Sequence, residues 1–464
     1  MPARGIGWSA ARSAGPGSQA VDVHGREDFA ADTPQQLREC PDCGLFQVVP
    51  PLQLGVTARC LRCNTVLRRT HPDSLAKALA LNLAALGLLA IACGMTLMTV
   101  STAGMYHTAT IFSGPQGLEK HGVWELSVVV LFTTVAAPLL KLGCMTYVLL
   151  GLKLTQPPRH LRQVFAWVEH LRPWSMIEVY LLGVFVAYVK LADMVHIDIG
   201  VALYALGFLL LTMVAADAVL DRQLVWEEMA RRGIPEPDDP EAAVPVVAPT
   251  AGALACDTCG QVSRPGSAPH PRCPRCGSRL EHRKANSLSR TWALTLAAAV
   301  LYIPANIYPV LTVIQLGSGA PSTILGGAEE LLNGGMWPLA ALVFFASIAV
   351  PCLKLVGLTV LLTSTHLRAT GRLRDRTVLY RIVNAIGRWS MIDIFMESIL
   401  VALVQFGSVV TIDPGFGAVA FAAVVILTMF AAEGFDPRLM WDAAAQRLGE
   451  PAQMVDIAPA PSPT

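Results

Sequence analysis

The chain has 464 residues and a net charge of +1, and 53% of its residues are hydrophobic whereas only 15% are charged. This composition is too apolar for an ordinary soluble protein, and the near-neutral charge gives no reason to expect a nucleic-acid partner. The sequence contains no G-x-x-x-x-G-K-[ST] motif, which excludes an ATP site of the Walker type.

Eight apolar runs are each long enough to cross a bilayer. They cover residues 75–100, 124–152, 174–191, 199–220, 292–316, 337–362, 389–410 and 415–432. Helices of a soluble core have a polar face, and most of these runs have none. We therefore predict an all-α polytopic membrane protein.

Paired Cys-x-x-Cys motifs precede the first and the fifth run. They contain Cys40, Cys43, Cys60 and Cys63 in the first pair of motifs and Cys256, Cys259, Cys273 and Cys276 in the second. Such pairs are typical of zinc ribbons, in which four thiolates bind one structural ion and a following Gly or Asn permits the tight turn. We predict two structural zinc ions.

Two other uses of these cysteines fit the sequence less well. Disulfides require an oxidising compartment, and the loop charges place the cysteines in the reducing cytoplasm. A thioredoxin-like redox site fits poorly, because each motif is paired and no βαβ pattern surrounds it.

The chain consists of two versions of one unit. Pro138 and Lys141 in the second run recur as Pro351 and Lys354 in the sixth, and a WSMIE segment recurs as WSMID. Each unit would be a cytoplasmic ribbon of small β-strands followed by four transmembrane helices, giving parallel repeats. The predicted boundaries are 1–36 for a disordered tail, 37–72 for the first ribbon, 73–228 for the first membrane domain, 229–252 for a linker, 253–284 for the second ribbon, 285–445 for the second membrane domain and 446–464 for a second tail.

Loop charges predict the orientation. The loops that follow runs two and six are rich in arginine, whereas the alternate loops carry Lys120 as their only basic Lys or Arg residue. The positive-inside rule then places both termini in the cytoplasm.

Proline, lysine and a hydroxyl residue coincide in the second span of each unit. Proline frees the carbonyl four residues back, and we expect Thr134 and Ser347 to cover their own carbonyls with their hydroxyls. A lysine within a span is a functional candidate. We hypothesise a buried network that relays protons or binds lipid headgroups. Its members would be Lys190, Asp193, Ser347, Lys354 and Thr428, with Lys141 as the counterpart of Lys354 in the first unit.

Simpler roles remain for several of these residues. Lys190 and Asp193 could extend to the outer interface, and Thr428 could bond only its own helix. Asp393, near the predicted cytoplasmic boundary, is expected to pair with loop arginines or cap a helix.

The doubled CPxCG-type motifs, the PxxKL runs, the two WSM[IL][DE] segments and the PANxxP of run five resemble the paraquat-inducible protein A family. The resemblance implies a multi-pass protein of the Gram-negative inner membrane that works with a periplasmic MCE-domain protein. It further implies a role in moving phospholipid or lipophilic molecules between membranes, which maintains the outer membrane, and no enzymatic activity. The alternatives are a secondary transporter or channel for a small solute and a membrane-bound thiol or zinc enzyme.

Overall fold

The computed structural model describes residues 36–50, 52–102, 105–192, 196–234, 236, 243–246, 252–265, 271–315, 318–403 and 410–449. The two halves of the chain repeat one order of elements. The first half contains β1 (Gln36–Glu39), β2 (Phe46–Val49), β3 (Thr57–Arg59), β4 (Val66–Arg69), α1 (Ser74–Gly94), β5 (Met98–Thr102), β6 (Met105–Ala109), α2 (Ser113–Lys120), α3 (Trp124–Leu131), α4 (Ala137–Gly151), α5 (Leu161–Leu171), α6 (Ile177–Ala192), β7 (His196–Ile199), α7 (Val201–Val219) and α8 (Arg222–Arg231).

The second half follows the same order after its own small strands. It contains β8 (Val244–Pro245), β9 (Leu254–Ala255), β10 (Val262–Arg264), α9 (Ser287–Ile307), β11 (Leu311–Gln315), β12 (Ser318–Ser322), α10 (Ile324–Asn333), α11 (Trp337–Phe344), α12 (Val350–His366), α13 (Leu373–Ile386), α14 (Ile392–Leu403), β13 (Val410–Pro414), α15 (Phe416–Gly434) and α16 (Arg438–Leu448).

Seven helical segments of the described chain are long and apolar enough to span a membrane, rather than the eight that we predicted. They are Ser74–Gly94, Trp124–Gly151, Leu161–Ala192, Val201–Val219, Ser287–Ile307, Ala340–His366 and Phe416–Gly434. The predicted run 389–410 contains α14, of which all twelve residues are buried. Residues 404–409 of this run lie outside the described residues, so a span over 389–410 stays a prediction.

Each membrane domain carries a three-stranded antiparallel sheet at the end opposite its ribbon. In the first domain β5 lies between β6 and β7, and in the second β11 lies between β12 and β13. The strand order places segments that are far apart in sequence side by side, as in the pairing of Thr99 with Asp198. We predicted strands only in the ribbons, because these five-residue segments between spans show no long alternating pattern.

A π-helical turn precedes the proline in the second span of each unit. These turns are Phe132–Ala136 and Phe345–Ala349, and each continues directly into α4 or α12. The hydroxyls of Thr134 and Ser347 donate to the carbonyls of Val130 and Val343, at 2.7 and 2.6 Å. Our expectation that each hydroxyl covers its own carbonyl was therefore wrong, because a Ser or Thr hydroxyl in a helix reaches the carbonyl four residues earlier.

The two membrane domains meet through α6 and α14, which are equivalent helices in the repeat. The rings of Tyr180 and Phe395 form an edge-on contact with centroids 5.6 Å apart. A Cβ atom on Gly183 would lie 2.8 Å from the Cβ of Phe395, so only glycine permits this approach.

Each ribbon packs on the membrane domain of the other unit. The cysteines of the first ribbon share a core with Leu361, Phe435 and Trp441, and Arg381 donates to Asp42. The cysteines of the second ribbon share a core with side chains of the first unit, namely Ala78, Leu79, Met145, Val148, Trp226 and Met229. The ribbons are therefore crossed: the first ribbon packs on the second membrane domain, and the second ribbon packs on the first.

A buried ionic cluster joins the crossed ribbons to α16. Glu39 of the first ribbon accepts hydrogen bonds from Arg283 and Arg438, at 3.1 and 3.5 Å. Arg438 is 3.2 Å from Asp257 of the second ribbon and 2.9 Å from Asp436. Burial raises the pKa of Glu39 to about 7, although the two arginines act in the opposite direction.

We predict that Arg438→Gln lowers the stability of the fold by about 3–5 kcal/mol, because Glu39 and Asp436 would remain buried without their shared cation. The exposed Arg279, which pairs with Glu281, supplies the control, and Arg279→Gln should change stability by less than about 0.5 kcal/mol. Thermal unfolding of the detergent-solubilised protein, followed by tryptophan fluorescence, measures both effects. Equal unfolding midpoints for the two variants would contradict this role of the cluster.

Candidate metal centres and a buried polar centre

Each group of four ribbon cysteines converges on one point. In the first ribbon the Sγ atoms of Cys40 and Cys63 are 3.4 Å apart, and those of Cys43 and Cys60 are 3.5 Å apart. In the second ribbon the Sγ atoms of Cys256 and Cys276 are 3.5 Å apart, as are those of Cys259 and Cys273. Four thiolates around a tetrahedral ion with Zn–S bonds of about 2.3 Å would be about 3.8 Å apart. All eight cysteines are buried, and the two groups could each hold a metal ion.

The turn within each motif has the conformation that the sequence predicted. The residue after the second cysteine has a positive φ: 71° at Gly44, 63° at Asn64, 70° at Gly260 and 74° at Gly277. Its N–H donates to the carbonyl of the first cysteine of its motif, at 2.8 to 2.9 Å. This turn directs the two sulfurs of a motif to the same side, so the backbone pre-forms half of each ligand set.

Lys354 forms the centre of the polar residues in the second unit. Its side chain is 1% exposed, and Nζ donates to Thr428 Oγ1 at 2.7 Å and to the carbonyl of Gly387 at 3.4 Å. Among the described residues it has no carboxylate within ion-pair distance. Thr428 also donates to Val425 in its own helix. Of the predicted network, the structure thus brings Lys354 and Thr428 into direct contact.

Ser347 lies on the same span as Lys354 but faces a different group. It is fully buried, and its hydroxyl neighbours the carboxyl group of Asp393 on α14. Asp393 is only 7% exposed and makes no ion pair with an arginine of the described residues, so the expected pairing with loop arginines was wrong, whereas its expected place at a helix start agrees with its position in the first turn of α14. Neither of its oxygens accepts a well-formed hydrogen bond from a described residue.

Lys190 reaches from the first unit towards acidic groups of the second. Its amine interacts electrostatically with Glu330, Glu397 and Asp393. Glu397 is 2% exposed, and one of its oxygens lacks a hydrogen-bond partner in the described structure. Asp193, the predicted neighbour of Lys190, lies outside the described residues.

Lys141 does not join this centre. Its Nζ forms an ion pair with Asp217 at 2.8 Å within the first unit. The equivalent lysines of the two units therefore have different partners, a carboxylate in one case and neutral oxygens in the other.

Glu397 was the functional candidate that sequence reasoning missed. It lies four residues after Asp393 within an apolar run, and residues at this spacing share a helix face. A charged residue inside an apolar segment was the available signal, but the predicted interfacial position of Asp393 obscured it.

Comparisons with known proteins agree with the doubled architecture. The family model described as paraquat-inducible protein A matches residues 75–230 and again residues 288–445. No solved structure gives a significant match to the chain.

Relatives match over almost their whole length. The intermembrane transport protein PqiA of Escherichia coli K12 is 33% identical over 87% of this chain and 95% of its own. The lipophilic envelope-spanning tunnel protein A of the same strain is 32% identical over 88% and 91%, and a probable intermembrane transport protein of Haemophilus influenzae is 26% identical over 88% and 96%. These relatives are named as transport proteins and not as enzymes. This chain, a multi-pass membrane protein with two repeats, belongs to the paraquat-inducible protein A family.

Proposed function

We propose that this protein is the inner-membrane component of an MCE-type system that moves phospholipid or other lipophilic molecules between the inner and outer membranes. The names of the relatives support transport between membranes. The structural observation that carries the proposal is the set of buried ionisable side chains where the second unit meets α6 of the first. Such groups are costly within a membrane, and they mark pathways for ions, protons or polar substrate groups.

The proposed working centre combines Lys354 and Thr428 with the face formed by Ser347, Asp393 and Glu397. Lys190 contributes a cation from the first unit, and Asp193 is placed in the same centre by its position in the sequence. The amine and the carboxyl groups could pass protons or hold a polar headgroup. A purely structural role would favour full pairing of these charges, whereas several oxygen atoms lack partners.

We expect Lys354→Met to abolish transport while the protein is still made, because the substitution keeps the volume of the side chain and removes its cation. Thr428→Val should also impair transport, because it removes the acceptor of the 2.7 Å hydrogen bond from Lys354. The measurement is rescue of the envelope barrier in a strain that lacks the protein and its relatives. Lys153→Met, in an exposed loop, is the control and should rescue fully. Normal rescue by Lys354→Met would refute the proposed centre.

We infer that the metal in each ribbon is zinc and that it has a structural role. The donor set of four buried thiolates suits zinc and leaves no protein ligand position open. These residues would hold the ion, which would stabilise the ribbon and, through the crossed packing, the membrane domain beneath it.

Metal analysis of the purified protein should find two zinc ions per chain, one for each group of four cysteines. Cys43→Ser should reduce this to one ion and lower the thermal midpoint, because the first ribbon would lose its closed core. Cys93→Ala, which changes a cysteine within α1, is the control and should retain both ions. Full metal content in Cys43→Ser would contradict the assignment.

The partner is proposed to be a periplasmic MCE-domain protein, and its docking site would be at the end of the molecule that carries the sheets of β5 and β11. The purified protein should bring down an MCE protein of the same cell and contain phospholipid detectable by mass spectrometry. A protein that carries a small solute would be purified without that partner. Recovery of neither the partner nor lipid would favour the solute transporter over the lipid system.

A further inference from the structure

A set of arginines gathers at the end of α12, on the side of the ribbons. We call this set the arginine surface. Its members are Arg368 and Arg372 in the loop after α12, Arg374 and Arg376 in the first turn of α13, and Arg447 in the last turn of α16. The membrane-spanning segment that contains α12 ends at His366. The arginine surface therefore begins directly where a span ends.

Hydrogen bonds to backbone carbonyls bring two of these guanidinium groups together. Arg447 Nη1 donates to the carbonyls of Leu367 and Arg368, at 3.3 and 3.4 Å. Arg376 Nη1 donates to the next carbonyl, that of Ala369, at 2.8 Å. Two guanidinium groups, one from α16 and one from α13, thus bind three consecutive carbonyls of one loop.

The arginine surface also reaches the first ribbon. Arg374 Nε donates to the carbonyl of Arg62 in that ribbon, at 2.7 Å. The guanidinium of Arg62 lies over the ring of Trp441 on α16, 4.4 Å from its centroid. A ligand of the arginine surface would therefore lie where the ribbon, α13 and α16 meet.

The positive charges of this surface are not compensated. None of its five arginines forms an ion pair with a carboxylate of the described residues. Within residues 366–376 the sequence has four arginines and a single acidic residue, Asp375. A carbonyl oxygen orients a guanidinium without cancelling its charge, and a guanidinium has five N–H donors, of which these bonds use one or two. Charge and donors both remain for an anionic ligand.

Two of the arginines have a backbone conformation that is uncommon for their residue type. Arg368 has φ of 49° and Arg372 has φ of 53°, in the left-handed region where glycine, asparagine and aspartate are favoured. The other non-glycine residues of positive φ in the described chain are Asn64, Asp73 and Asn286. The backbone of the loop therefore does not account for arginine at positions 368 and 372.

The first unit has the same contact with its charge neutralised. Arg232, the equivalent of Arg447, donates to the carbonyl of Leu154 in the equivalent loop, at 3.2 Å. Arg232 also forms an ion pair with Glu228 at 2.9 Å. The second unit has Ala443 at the position of Glu228. Shared helix packing therefore explains the contact between arginine and carbonyl, but the free charge is a property of the second unit.

Exposed leucines lie beside the arginines. Leu367, whose carbonyl accepts a hydrogen bond from Arg447, is 64% exposed, and Leu448, which follows Arg447, is 62% exposed. Both are next to guanidinium groups at the end of a span. A headgroup with apolar chains matches this combination better than a soluble polyanion, which would leave the leucines in water.

We propose that the arginine surface binds the headgroup of an anionic phospholipid from the membrane leaflet on the side of the ribbons. Arg374, Arg376 and Arg447 bind the phosphodiester, and the acyl chains lie against Leu367 and Leu448. The bound lipid stabilises the docking of the first ribbon on the second membrane domain. It is a resident ligand and not the transported molecule, so the inference goes beyond the proposed function and does not depend on it.

The test is binding of lipid to the full-length protein in a neutral detergent. Phosphatidylglycerol and phosphatidylethanolamine with the same acyl chains are titrated separately, and bound lipid is counted by native mass spectrometry. Phosphatidylglycerol should bind at least about fivefold more tightly, because one arginine at a membrane surface contributes about that factor for an anionic headgroup. It should also raise the thermal unfolding midpoint. Equal binding of the two lipids would overturn the proposal, as would displacement of phosphatidylglycerol by an equal concentration of ATP.

Two variants remove the free charge in different ways. Arg447→Gln should weaken binding of phosphatidylglycerol by about fivefold. Ala443→Glu should weaken it by a similar factor without loss of any arginine, because it places a carboxylate one turn before Arg447, as Glu228 is placed before Arg232. Arg232→Gln is the matched control and should bind like the wild-type protein, since its charge is already paired.

Unchanged binding of phosphatidylglycerol in both Arg447→Gln and Ala443→Glu would overturn the proposed site. Where Arg447→Gln unfolds earlier than the wild-type protein without lipid, Ala443→Glu decides, because it keeps the contact between Arg447 and Leu367.

A deletion of residues 450–464 tests the C-terminal segment as the alternative occupant of this surface. Unchanged lipid binding after the deletion supports the proposal, whereas tighter binding would identify that segment as the occupant and overturn it. None of these measurements involves transport, so failure of the lipid site and failure of the proposed function are distinguishable.

Discussion

The second membrane domain is arranged around one buried amine. Lys354 lies inside a span with only a threonine hydroxyl and a backbone carbonyl as partners. A cation in that position is expensive unless its donors are used. The π-helical turn before Pro351, the short turn Gly387–Met391 and the middle of α15 meet at this point. The short turn supplies the Gly387 carbonyl and α15 supplies the Thr428 hydroxyl for the amine.

The first unit has the same proline, the same preceding turn and an equivalent lysine, and yet its environment differs. Lys141 has a carboxylate partner, Asp217, and lies near the further charged side chains Glu169, Arg172 and Arg222. Repetition therefore preserved the backbone of the site and changed its chemistry. The second unit has a closed polar centre in contact with the first, whereas the charges around Lys141 in the first unit form ion pairs.

Much of the site could be predicted from local patterns. Two residues between cysteines, followed by Gly or Asn, dictate a turn of known geometry, and all four motifs adopt it. The repeated proline and lysine identified the span that carries the buried amine. The positions of Asp393 and Glu397 were harder to predict, because a carboxylate near the end of an apolar run is read as interfacial. Asp393 and Glu397 are buried because α14 packs against α6 and α2.

Long-range contacts could not be predicted from local sequence patterns. The β5–β7 and β11–β13 pairings join segments separated by three helical elements or more, and no short pattern specifies them. The crossing of the ribbons is also invisible in a repeat, because equivalent surfaces on the two units look alike in sequence. Charge pairs such as Arg381 with Asp42 favour the crossed arrangement, but they become evident only once both surfaces are in place.

The crossed ribbons constrain the order in which the protein assembles during its synthesis. The first ribbon leaves the ribosome before any membrane helix, but Leu361, Phe435 and Trp441, against which it packs, are among the last parts to be synthesised. Domains that emerge early ordinarily fold at once on local contacts. Here the ribbon can close around its own cysteines and pair with α8 through Arg68, but its core contacts with the second unit form only after nearly the whole chain has been synthesised. The contacts of the first ribbon with α15 and α16 are thus among the last to form.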